Sequence, residues 1–169
     1  MMDLTHLHLI LNHLPVVGIM FGFLILAWGV LRGYEEVKTV GLIFLVFTAF
    51  AALPVYLTGE PAEEAVEKLP GVSEQIIELH ENSALLSLIL AMATGVLAFF
   101  GLIFKRFSAV NVTRFSMFAI LFLSFVTGAL MARTANLGGE IRHTEIRQTT
   151  QNSNPATETK QKKEKDDDD

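Results

Sequence analysis

The sequence predicts an all-α protein: a four-helix transmembrane bundle with a short interfacial amphipathic helix between helices two and three. Two observations carry this. Four apolar runs, residues 14–31, 40–57, 84–104 and 115–132, are 18 to 21 residues long and free of charged side chains, which is the length a helix needs to cross a bilayer. Between the second and third runs, Ala62, Ala65, Val66 and Leu69 recur at helical spacing with Glu63, Glu64, Glu67 and Lys68 opposite, as in a helix lying along the interface.

Taken in order, the first span begins within MMDLTHLHLILNHLPVVG, which has no basic n-region and no A-x-A-like site and reads as a retained first helix. The second span ends near Thr58, and the interfacial helix covers residues 61–69, with Pro61 suited to a first helical position. Pro70 and Gly71 end it, Ser73 can cap the next helix, and the periodicity through Ile76, Ile77, His80 and Ala84 enters the third span without a break. After the fourth span, Gly138 and Gly139 predict a turn that folds the chain, and His143 with it, back toward the bundle. Residues 1–147 thus form the membrane domain. Residues 148–169 lack any apolar face and read as a disordered polar tail.

Composition narrows the function. Hydrophobic residues make up 51% of the chain, and the net charge of −5 comes largely from glutamates 60–81 and the terminal aspartates, so nucleic acid is not an expected partner. The chain has no cysteine, which excludes disulfides, thiolate metal sites and covalent haem attachment. No Ser-His-Asp grouping, phosphate loop or H-E-x-x-H is present. No charged residue falls within a span, as a transporter or proton relay would require.

His6, His8 and His13 precede span one, His80 precedes span three and His143 follows span four. An even number of crossings therefore brings all five imidazoles to one membrane face. The loops on the other face hold Arg32, Lys38, Lys105, Arg106 and Arg114, against Lys68, Arg133, Arg142 and Arg147 on the histidine side. By the positive-inside rule this places both termini and the histidines on the periplasmic side of a bacterial inner membrane.

Imidazole is an axial ligand for haem iron and also binds zinc and copper. Inward from His80 at helical spacing come Ala84, Ser87, Ala91, Thr94, Gly95 and Ala98, a groove of small side chains that suits a flat macrocycle better than a compact metal site. The same stripe also suits close helix packing, as do the pairs Thr58-Gly59, Thr94-Gly95 and Thr127-Gly128. His6 and His13 are seven residues apart and share a face of a continuous helix, from which His8 points away. Arg133, at the end of span four, can pair with a haem propionate or snorkel to headgroups, and Asn12 and Thr58 can hydrogen-bond a ligand histidine.

The strings HLILNHLPVVG and ANLGGEIRH resemble an uncharacterised family of bacterial four-helix membrane proteins, over roughly residues 6–147. Its members carry a histidine followed closely by proline in helix one, a histidine at the start of helix three and a Leu-Gly-Gly turn after helix four. The resemblance implies His13 and His80 as haem ligands, with His143 aligned less closely. Here Leu14 stands where an aromatic commonly precedes the proline, and Ile141-Arg142-His143 is more polar than the family's end.

The expected function is a membrane-bound b-type cytochrome subunit. One non-covalent haem b, held by His13 and His80 with Ala84, Ser87 and Arg133 around it, would carry electrons at one bilayer face; His6 and His143 are further candidate ligands. With no histidine at the other end of the bundle, a quinone or a partner subunit must complete the route. The alternative is a non-catalytic accessory subunit of a larger respiratory or photosynthetic membrane complex.

Overall fold

The structure, a computed structural model, describes residues 3–107 and 114–143; the tail expected to be disordered lies outside the described residues. These residues form six helices: α1 Leu4–Leu11, α2 His13–Arg32, α3 Glu35–Leu57, α4 Gly59–Glu67, α5 Glu74–Phe107 and α6 Arg114–Arg142. Four stretches are long and apolar enough to cross a membrane: Leu4–Arg32, Glu35–Glu67, Glu74–Phe104 and Phe115–Arg142. Around the bundle, α2 packs on α3, α3 on α5, α5 on α6, and α6 closes the ring against α2. The small helices α1 and α4 pack on each other at the histidine end.

The α2–α3 hairpin is the tightest pair, and its cause is local. Gly33 takes a left-handed φ of 73°, a conformation that costs glycine nothing and stops a helix. Tyr34 then returns its N–H to the Gly29 carbonyl at 3.0 Å. Below the turn, glycines interlock the two helices: an added Cβ at Gly41 would stand 2.6 Å from the Leu26 main-chain nitrogen, and one at Gly22 would stand 2.8 Å from Leu45. Gly95 of α5 meets Ala49 of α3 as closely. Small residues bring backbones together in this way where lipid, not water, surrounds the helices.

The interior is correspondingly lined with small and hydroxyl side chains. Thr48, Ser83, Ser87, Thr94, Ser124 and Thr127 are buried beside Ile19, Leu26, Leu42, Leu45, Ala91 and Ala98, while Phe50, Phe115 and Phe122 are more than 70% exposed. Among the described residues no buried side-chain polar atom lacks a hydrogen-bond partner, the condition a bilayer imposes. α5 has 34 residues, about 51 Å at 1.5 Å per residue against a hydrocarbon core of about 30 Å. Its first turns therefore stand beyond the apolar layer and hold His80 at the rim.

Three expectations change. The first helix is not continuous: it breaks at Asn12, between α1 and α2. Pro15 has no N–H to give the Leu11 carbonyl, and its ring crowds that turn; α1 ends there and packs on α4. The interfacial helix exists but spans Gly59–Glu67 rather than residues 61–69, with Ala62 as its buried contact and Leu69 beyond its end. The Leu-Gly-Gly segment is no turn. α6 runs through it to Arg142, because two helical glycines cost about 1 kcal/mol each relative to alanine, whereas burying Leu137 and Ile141 at the water-facing end returns about 1.5–3 kcal/mol each.

Gly41→Ala is expected to destabilise the bundle by about 1–3 kcal/mol, because the new methyl meets main chain that cannot rotate away. Gly101→Ala, whose Cβ would find only side chains at 3.5 Å or more, should leave stability within about 0.5 kcal/mol. Reversible unfolding in bicelles measures both. Equal losses would show that close approach of α2 and α3 is not what holds them.

Candidate functional site

The histidine end is built by α1 and α5, which supply two rings, and by α3 and α6, which supply two carbonyls. His8 of α1 donates from Nδ1 to the Val55 carbonyl at 3.0 Å and lies 3.2 Å from the Thr58 hydroxyl. His80 of α5 donates from Nδ1 to the Thr134 carbonyl at 3.0 Å. Both rings are half-buried, and the two are close enough for their charges to interact. A carbonyl can only accept, so each bond puts the proton on Nδ1 and leaves Nε2 with its lone pair.

Thr58 is positioned for its part by the end of α3. Its hydroxyl donates to the Pro54 and Val55 carbonyls at 2.9 and 3.0 Å, the first of which also takes the Thr58 N–H at 3.1 Å. The sequence had suggested this residue as a partner for a ligand histidine, and the histidine it meets is His8.

The other expected residues fall as follows. His13 opens α2, is exposed and bonds through Nδ1 to the Leu9 carbonyl at 3.2 Å; the break at Asn12 separates it from His6, which is also exposed. His8, expected to point away, is the histidine whose charge interacts with His80. His143 is exposed past the end of α6, its N–H on the Gly139 carbonyl at 3.0 Å. Arg133 is exposed too, and its guanidinium donates to the Ser83 hydroxyl at 3.3 Å.

The small-residue groove faces inward as expected: Ala84 is half-buried and Ser87, Ala91, Gly95 and Ala98 are buried. Its contents are protein. Ser83 and Ser87 share the Thr134 hydroxyl at 2.7 and 2.9 Å, and Thr94 meets Thr127 at 3.0 Å, while Ala49 fills the space over Gly95. In this structure the groove is a packing seam between α5 and its neighbours.

Beside the histidines, α4 and the start of α5 line a cleft of about 410 Å³ with Glu63, Glu67, Glu74, Glu78 and Glu81. Glu63 shares a hydrogen bond with Glu81. Burial first, then the charges of Glu81 and Glu67, that hydrogen bond and the charge of Glu60 hold the Glu63 carboxyl above the usual carboxylate range. Among the described residues, no three His, Cys, Asp or Glu side chains converge as a compact metal site requires.

Sequence reasoning missed His8, Thr134 and Gly138. The last two are four residues apart and so share a face of α6, a signal visible only once the helix is known to continue through the glycines. Comparison with family models, curated proteins and solved structures finds no match.

The docked α4 holds the Glu63 proton more tightly than the undocked helix does. Docking is therefore expected to be strongest below the ordinary carboxylate range and to weaken as pH rises through the raised value of Glu63. Amide hydrogen exchange along α4, corrected for intrinsic rate, should quicken over that interval in the wild type and stay flat in Glu63→Gln. A flat wild-type profile would remove Glu63 as the cause.

Proposed function

We propose that this chain is a membrane-bound b-type cytochrome subunit whose single haem is held by His8 and His80. The observation that carries the reading is the matched state of the two rings. They come from different helices to one end of the bundle, each half-buried, each with Nδ1 spent on a main-chain carbonyl and Nε2 free. Metal-bound histidines are oriented in this way, since the second-shell acceptor fixes the tautomer and raises the basicity of the ligating nitrogen.

The donor set also suits haem over other metals. Zinc and copper sites ask for three or four protein ligands, whereas a haem brings four of its own and takes two from the protein. With no cysteine in the chain, attachment is non-covalent. When bound, the group supplies a reversible one-electron iron couple. His80 and His8 would hold it, the Val55 and Thr134 carbonyls and the Thr58 hydroxyl orient their rings, and exposed Arg133 at the same end would suit a carboxylate of the haem. His80 is common to this pairing and to the pairing with His13; His8 is preferred because its ring is half-buried and interacts with His80.

By the balance of basic residues between loops, the histidine end faces the periplasm of a bacterial inner membrane. A quinone or a partner subunit at that face would be its redox partner. One observation favours the second reading, an accessory subunit of a larger membrane complex: the seam is closed by side chains and fully hydrogen-bonded without any other group.

A visible spectrum and a pyridine haemochrome assay on the purified protein are expected to give one six-coordinate low-spin b-type haem per chain. His8→Ala and His80→Ala should each lose that spectrum, Thr58→Val should weaken haem affinity by about tenfold, and His13→Ala should bind as the wild type does. Loss in His13→Ala with retention in His8→Ala would return the pairing to His13. A wild-type protein without haem would leave the accessory reading.

A further inference from the structure

The two histidines are seated by one repeated device. His8 donates to the carbonyl of Val55, and four residues on, across the junction of α3 and α4, is Gly59; His80 donates to the carbonyl of Thr134, and four residues on, within α6, is Gly138. The spacing has a physical reason. In an α-helix every Cα–Cβ bond leans toward the N-terminus, so the side chain at i+4 stands over the carbonyl at i and blocks a donor approaching from outside. A glycine at i+4 leaves that carbonyl bare.

The two seats differ in stringency. A Cβ at Gly59 would stand 3.8 Å from His8 Cε1, an ordinary contact. A Cβ at Gly138 would stand 3.1 Å from His80 Cε1 and 3.4 Å from Nδ1, the nitrogen that makes the hydrogen bond. The neighbouring Gly139 has nothing within 4 Å of the same position. Two adjacent glycines in one helix thus carry the same propensity cost, and only one of them touches a histidine.

We infer that Gly138 is a positioning residue for His80: by baring the Thr134 carbonyl it sets the ring's orientation and keeps Nε2 as the unprotonated nitrogen. The consequence for ligand binding rests on the haem reading above; the placement of the ring does not. With a methyl at this position the ring gives way, the bond to Thr134 lengthens, and the tautomer is no longer held.

The test is nitrogen NMR of histidine-labelled, haem-free protein in lipid nanodiscs, with His80 assigned by its loss in His80→Gln. The wild type and Gly139→Ala should show His80 with its proton on Nδ1 alone, and Gly138→Ala should show loss of that signature. A double-mutant cycle supplies a readout that does not depend on the spectrum: Gly138→Ala should lower stability in the wild type and not in the His80→Ala background, where there is no ring to displace. An unchanged His80 signal in Gly138→Ala, an equal disturbance in Gly139→Ala, or an equal cost in both backgrounds would each overturn the inference. In protein reconstituted with haem, Gly138→Ala should lose affinity and Gly139→Ala should keep it. If the wild type takes up no haem, the proposed function fails while the tautomer and stability results still decide the role of Gly138.

Discussion

Close approach of helix backbones is the constraint on which the rest of this structure depends. Between helices surrounded by lipid there is little hydrophobic gain from association, so packing and hydrogen bonding must hold them. The hydrogen bonds across the α5–α6 seam, from Ser83, Ser87 and Thr94 to Thr134 and Thr127, are worth about 0.6 kcal/mol each and so about 2 kcal/mol together. That is too little to fix a bundle alone. The larger share falls to the glycine contacts of α2 with α3 and of α5 with α3, where dispersion acts at the shortest distances the backbone allows.

The same economy of side chains governs the histidine end. α3 and α6 each present a carbonyl four residues before a glycine, Gly59 at the start of α4 and Gly138 within α6, and α1 and α5 each bring an imidazole to it. His8 reaches its carbonyl from α1, the short helix that ends at Leu11, one turn before Pro15, and packs on α4. His80 reaches its own because α5 projects past the apolar layer while α6 runs alongside it through the paired glycines. One interruption, a turn before Pro15, and one continuation, through Gly138 and Gly139, accompany the approach of the two histidines.

Around that pair the charges are of opposite kinds. Glu81 follows His80 in sequence and lies in the acidic cleft with Glu63 and Glu67 of α4, so the helix that packs on His8's own helix also carries carboxylates toward the first turn of α5. Arg133 sits on the other side, tied to Ser83. The histidine end is thus bordered by acid on the α4 side and by a cation on the α6 side, while the opposite end is marked by Arg32 stacked over Trp28 and Tyr34, the amphipathic aromatic pairing found at membrane interfaces.

The sequence alone determined the all-helical class, four crossing segments, an interfacial helix before His80 and the gathering of the histidines at one end. Each follows from run length, periodicity or the parity of crossings, and none depends on contacts between distant residues. It also placed Ser87, Ala91 and Gly95 inward, since the face of a helix is a local property. Tertiary structure alone decided that the small-residue stripe is filled by α3 and α6, that the first helix breaks at Asn12, and that Gly138-Gly139 continues a helix. A glycine pair reads as a turn until Leu137 and Ile141 are seen to be buried and the His80 ring is seen against Gly138. That His8 rather than His13 is half-buried and near enough to interact with His80 has the same reason: the surroundings of a ring depend on where a helix is interrupted and what it then packs against, and sequence spacing carries no record of either.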